Sequence, residues 1–121
     1  MRTILLSVGI TALWLTGSAV AECHMQPTSF SLSQNDSVTS KATIDGGGCL
    51  HAFLSGDASI YTSARILNKP SHGSLAQIGR FSFAYVPAKR YKGLDSYGFM
   101  LCGTNAAGAG CARIKIDVTV Q

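Results

Sequence analysis

Residues 91 to 99 read YKGLDSYGF, in which a single carboxylate, Asp95, lies among Tyr91, Tyr97 and Phe99 with Gly93 and Gly98. Paired acid–base chemistry needs a second titratable partner, and no other acid lies within this stretch. A structural role suits the residues better. The short Asp95 side chain is suited to accept backbone N–H groups of a turn, Gly93 supplies a backbone conformation that a side chain would hinder, and the aromatic residues anchor both flanks in a core. The stretch therefore reads as a corner that feeds the chain into its closing strands.

Downstream, Ser96 to about Thr104 alternates, with Tyr97, Phe99 and Leu101 on one face and Gly98, Met100 and Cys102 on the other. The final ten residues before Gln121, CARIKIDVTV, put Ile114, Ile116, Val118 and Val120 on one face and Arg113, Lys115, Asp117 and Thr119 on the other. Between them NAAGAG, residues 105 to 110, is a turn-rich connector, so the pair is expected to form a hairpin. Upstream, strands are expected at Thr28 to Ser33, Val38 to Ile44, Cys49 to Leu54, Ile60 to Leu67, Ser74 to Ile78 and Phe81 to Val86. Punctuation falls at Asn68-Lys69-Pro70, His72-Gly73 and Gly79-Arg80. No long run between Cys23 and the C-terminus has helical spacing with caps. Short alternating strands with turns between them predict an all-β protein, a β-sandwich of about seven strands.

The first 21 residues read differently. Arg2 gives a positive start, Ile4 to Leu15 an apolar run, and Ala19-Val20-Ala21 a small-x-small cleavage site, the pattern of an export signal peptide. Ser7, Gly9, Thr11 and Thr16 interrupt an apolar stretch that is already shorter than the roughly 20 residues a bilayer requires. Cleavage after Ala21 leaves 100 of the 121 residues, enough for one domain with one modest core. The expected division is thus residues 1–21 as signal and 22–121 as the folded domain, exported to the periplasm or beyond and not embedded in the membrane after cleavage.

All four cysteines, Cys23, Cys49, Cys102 and Cys111, follow the cleavage site, which predicts two structural disulfides in an oxidising compartment. Strand parity places Cys102 and Cys111 both on the outward face of neighbouring strands, so they are expected to staple the hairpin, leaving Cys23–Cys49 to tie down the N-terminal segment. The competing scheme, Cys49–Cys102 with Cys23–Cys111, needs a bulge to turn Cys102 inward.

Other chemistries find little support. No serine sits in G-x-S-x-G, GGGC at 46 to 49 lacks the Lys and helix of a phosphate loop, and no C-x₂-C pair suggests zinc. No cofactor and no catalytic residue is expected. Without Arg2 there are nine Lys and Arg against six Asp and Glu, a mild net charge of about +3. The densest basic group, Lys89-Arg90 with Lys92, holds a single aromatic, Tyr91, in a turn-like segment without a nucleic-acid-binding fold motif. One metal candidate remains: an N-terminus Glu22-Cys23-His24 would offer an amine, two amide nitrogens and the His24 imidazole to Cu(II) or Ni(II).

The stretch KPSHGSLAQIGRFSFAYVPAKRYKGLDSYGF, residues 69 to 99, resembles the signature of bacterial immunoglobulin-like, cadherin-like domains. The matching positions are Pro70, His72, Gly73, Phe81, Tyr85, Pro87, Tyr91, Gly93, Asp95, Tyr97 and Phe99, and the resemblance spans about half the chain, from near Ile60 to Gln121. It implies an immunoglobulin-like sandwich whose loops or sheet edges contact a protein or glycan partner. A spacer domain without a dedicated site is the alternative, and a copper-binding protein using His24 a further one. Intact-mass measurement of the exported protein should find a chain beginning at Glu22 with all four cysteines oxidised; a longer chain or free thiols would contradict the export reading.

Overall fold

The last two strands organise the molecule. In the computed structural model, which describes residues 22–121, β7 (Gly93–Asn105) and β8 (Gly108–Val120) pair antiparallel along their full length. The connector is shorter than the sequence suggests, only Ala106-Ala107, because the ladder continues to Asn105↔Gly108 and the Asn105 side-chain oxygen accepts the Ala107 N–H (2.9 Å). Tyr97, Phe99 and Leu101 of β7 and Ile114, Ile116, Val118 and Val120 of β8 are buried, on the face that alternation assigns to the core.

Six further strands complete the all-β fold: β1 (Glu22–Met25), β2 (Ser37–Asp45), β3 (Cys49–Ala52), β4 (Ser59–Asn68), β5 (Gly73–Gly79) and β6 (Ser82–Pro87). One sheet runs β1-β2-β8-β7-β4 and the other β3-β6-β5, with β2 and β8 parallel and the other pairs antiparallel. The two sheets enclose a core in which Phe83 and Tyr85 of β6 meet Tyr97 and Phe99 of β7.

The described residues form eight strands rather than about seven, and the N-terminal assignment changes. Residues 28 to 33 do not form a strand, and Glu22–Met25 pairs with β2 instead. Two features divert residues 28 to 33. Pro27 has no N–H to continue the ladder, and the Asp36 carboxylate accepts the Ser31 N–H (2.8 Å), closing a turn over Leu32 to Asn35. Leu32 then plugs the end of the sandwich at 2% exposure, its carbonyl lying so close over the hairpin that a Cβ on Gly110 would sit 1.9 Å from it. Asn35, at φ 53°, accepts the Cys111 N–H (2.9 Å) and fixes this loop to β8.

The disulfides join Cys23 to Cys49 and Cys102 to Cys111, and no cysteine is free. Cys102 and Cys111 oppose one another directly in the β7-β8 ladder on its outer face. Cys23–Cys49 instead links β1 of one sheet to β3 of the other. Two bridges with no free thiol fit an oxidising environment. Residues 1–21, where a signal peptide is expected, lie outside the described residues, and among the described residues no helix is long and apolar enough to cross a membrane.

The bridges differ in loop length, 26 residues against 9, and chain entropy alone favours the first, about 3.5 against about 2.6 kcal/mol. The shorter loop is also held by the hairpin's own ladder. Replacing Cys23 and Cys49 together by Ser should lower the urea midpoint more than replacing Cys102 and Cys111 together; the reverse order would contradict the inter-sheet role of the first bridge.

Candidate functional site

The YKGLDSYGF stretch is not a self-contained turn. Asp95 lies within β7, 8% exposed, and receives four hydrogen bonds. Its Oδ1 accepts the N–H groups of Ser71 and Ser96 (2.9 Å each), and its Oδ2 accepts the His72 N–H (3.1 Å) and the Tyr85 hydroxyl (2.7 Å). Only Ser96 is local. The sequence pointed to donors of the surrounding turn; the donors instead arrive from β6 and from the β4–β5 connection, 10 and 23–24 residues away. The reason is parity, since Asp95 shares the inward face of Tyr97 and Phe99 and its carboxylate must find partners inside the sandwich.

The flanking residues support this arrangement. Gly93 takes φ 134°, and Tyr91 folds back so that its hydroxyl donates to the Leu94 carbonyl. The Tyr91 ring stacks on His72 with centroids 4.2 Å apart and planes 3° from parallel. The turn from Pro70 to Gly73 and the corner are therefore clamped twice, by main-chain bonds to Asp95 and by a ring stack. Tyr85 stacks on Tyr97 at 4.6 Å, and the Tyr97 hydroxyl meets His51 Nε2 at 2.6 Å, extending the polar thread from Asp95 through the core to β3.

Electrostatics follow from burial and these bonds. Burial pushes Asp95 up, but the Tyr85 hydroxyl and the N–H groups of Ser71, Ser96 and His72 outweigh it and hold the carboxyl below its ordinary range. Burial also pushes the Tyr85 phenol up, with its bond to Asp95 and the nearby negative charge adding, and burial is the first cause of the same shift at Tyr97. His51, 5% exposed, is driven down to about 4 by burial and stays neutral at ordinary pH.

Four bonds fill the roughly four acceptor positions of a carboxylate, so Asp95 has none left for an outside proton. What the cluster does chemically is hold the two sheets in register. Sequence reading reached Asp95, Tyr91, Gly93, Tyr97 and Phe99 but missed Ser71, His72 and Tyr85 as Asp95 partners and the His51–Tyr97 bond. The inward parity of Tyr85 beside Phe83 is the one signal that pointed there.

The N-terminal metal candidate meets a specific obstacle. The Gln26 N–H bonds to the Lys41 carbonyl (2.9 Å), and antiparallel alternation then turns the His24 amide toward Thr43. A square-planar site needs that amide nitrogen, so the site and the β1-β2 ladder exclude one another. Among the described residues, no group of three or more His, Cys, Asp or Glu is placed to hold a metal ion.

No protein-family model and no curated protein matches this chain.

The two buried groups separate in pH. His51 is neutral when folded, so its penalty begins as pH falls below the unfolded value near 6.5 and levels off at about 4. Asp95 has a depressed folded value, so its contribution is complete above roughly 4, the unfolded value, and is lost as pH falls through the folded one. Urea midpoints should fall between pH 7 and 4 in the wild type and flatten there in His51→Gln. Asp95→Ala, which leaves the Tyr85 hydroxyl and distant N–H groups unpaired, should cost about 3 kcal/mol at pH 7. An unchanged midpoint in Asp95→Ala would remove the clamp.

Proposed function

We propose that this protein is an exported, non-enzymatic, immunoglobulin-like binding module that contacts a protein or glycan partner outside the inner membrane. The strand order supports the fold part of this reading. The sheet β3-β6-β5 corresponds to strands B-E-D of an immunoglobulin-like sandwich, β4-β7-β8 to C-F-G, and β2 lies parallel on the last strand. Of the signature residues, Pro70 and His72 lie before β5 and Gly73 opens it, Tyr85 and Pro87 lie on β6 with Phe81 just ahead, and Gly93, Asp95, Tyr97 and Phe99 lie on β7 with Tyr91 just ahead, an arrangement that is compatible with this reading.

The observation that carries the binding part is a contrast between the two outer faces. On β2, β8, β7 and β4 the outward positions include Lys41, Arg113, Lys115, Asp117 and Arg65. The outward positions of β3-β6-β5 are Leu50, Ala52, Ala76, Ala84 and Val86 with Ser74 and Ser82, without one charge. Leu50 is 64% and Val86 52% exposed. A spacer with no dedicated contact gains nothing from an uncharged, apolar sheet face in water, whereas a docking surface does. The face has no outward aromatic ring for a sugar to stack on, which favours a protein partner over a glycan.

Replacing Val86 by a photo-crosslinking amino acid in the exported protein should yield a discrete adduct, and the same replacement at Lys115 should not. Adducts at neither position would favour the spacer reading.

A further inference from the structure

Among the described residues, the three-stranded sheet has an edge that is both unpaired and set beside an apolar opening. The Phe53 N–H donates to the Phe81 carbonyl (2.9 Å), so antiparallel alternation turns Cys49 and His51 toward β6. The main-chain N–H and C=O groups of Leu50 and Ala52 therefore point away from the sheet, on a strand that pairs on one side only. By contrast, the β4 edge of the other sheet is covered where Gln77 and Arg80 side chains donate to the Ala64 and Thr62 carbonyls (3.1 Å each).

Beside the β3 edge, the gap between the sheets opens as a slot of about 300 Å³. Its walls include Met25, Phe30, Val38, Phe53, Ile114 and Ile116, and its polar lining comprises Gln26, Thr28, Ser40 and the neutral His51, none of them charged at ordinary pH. Val38, Ile114 and Ile116 belong to the inner face of the five-stranded sheet. A strand added to β3 would run over that face, with every second side chain directed toward it and its main chain satisfying Leu50 and Ala52. An occupant with charged side chains at those inward positions would bury them unpaired, which the slot cannot compensate.

We propose that the β3 edge takes up an extended, uncharged peptide segment of a partner protein as an added strand, its alternate apolar side chains seated in the slot. This names the partner class of the binding module and rests on that reading. It differs from contact through the sheet face alone, because main-chain hydrogen bonds provide the attachment and the slot provides the selection for apolar residues at alternate positions.

The test is amide hydrogen exchange by NMR on the oxidised protein, alone and with a pool of capped heptapeptides carrying Val, Leu or Ile at alternate positions and Thr or Ser between them. In the free protein the Leu50 and Ala52 amides should exchange quickly and the His51 amide slowly; with the pool in excess, exchange at Leu50 and Ala52 should slow by about tenfold or more. A pool with Asp at the alternate positions should leave them unchanged. Leu50→Pro removes an outward N–H without touching a bond to β6, so it should abolish the slowing while His51 stays protected. Ala52→Pro serves the same purpose if the first variant unfolds. No slowing in the wild type, slowing confined to β5, or slowing that survives Leu50→Pro would overturn the proposal. If this fails while the Val86 crosslink forms, the binding module stands and its contact lies on the sheet face; if the crosslink also fails, both readings fall.

Discussion

A buried carboxylate must be given donors, and the way this chain supplies them to Asp95 sets the relation of the two sheets. Asp95 stands on β7 of one sheet, takes the hydroxyl of Tyr85 from β6 of the other, and takes two N–H groups from the turn in which the chain crosses between them. Each bond alone contributes on the order of 1–3 kcal/mol, but all four converge on one side chain that cannot leave without stranding its partners. Apolar packing of Phe83, Tyr85, Tyr97 and Phe99 supplies the attraction between the layers. The carboxylate supplies the register, because dispersion and hydrophobic burial have little direction and hydrogen bonds have a great deal.

The same logic places the second polar contact. His51 faces inward from β3, where a neutral ring edges against Tyr97 and Phe99 and its Nε2 bonds the Tyr97 hydroxyl. The inter-sheet disulfide sits two residues earlier on the same short strand, at Cys49. Thus β3, only four residues long, is held by one covalent bond, one polar bond and one ladder. With so much fixing its inner side, its outer edge and outward face are free to remain uncharged and unpaired. That is an unusual condition for an edge strand, which proteins ordinarily blunt with charge or proline. Charge is concentrated instead on the opposite outer face, so the two sides of the sandwich present different chemistry to water.

Local alternation made much of the fold legible. Period two in CARIKIDVTV and in residues 96 to 104 assigned the inward and outward faces of the closing hairpin, and with them the pairing of Cys102 with Cys111. Both properties are local, because a strand's side chains alternate whatever lies above them. The failure at residues 28 to 33 was also local in appearance and tertiary in cause. Phe30 and Leu32 alternate as a strand's residues would, yet Asp36, Asn35 and the open hairpin end at Gly110 draw the segment into a turn that plugs the sandwich.

What the sequence by itself determined is the class of structure, the positions of most strands, the cysteine framework and Asp95 as an acceptor of main-chain N–H groups. What only the tertiary structure decided is which groups answer Asp95, that His51 bonds Tyr97, that the β1 ladder competes for the His24 amide, and which sheet face carries no charge. The division has one physical reason. Alternation and turn chemistry act between residues a few positions apart, whereas hydrogen-bond partners and exposed edges depend on which strands lie side by side, and that ordering is set by the packing of the whole chain.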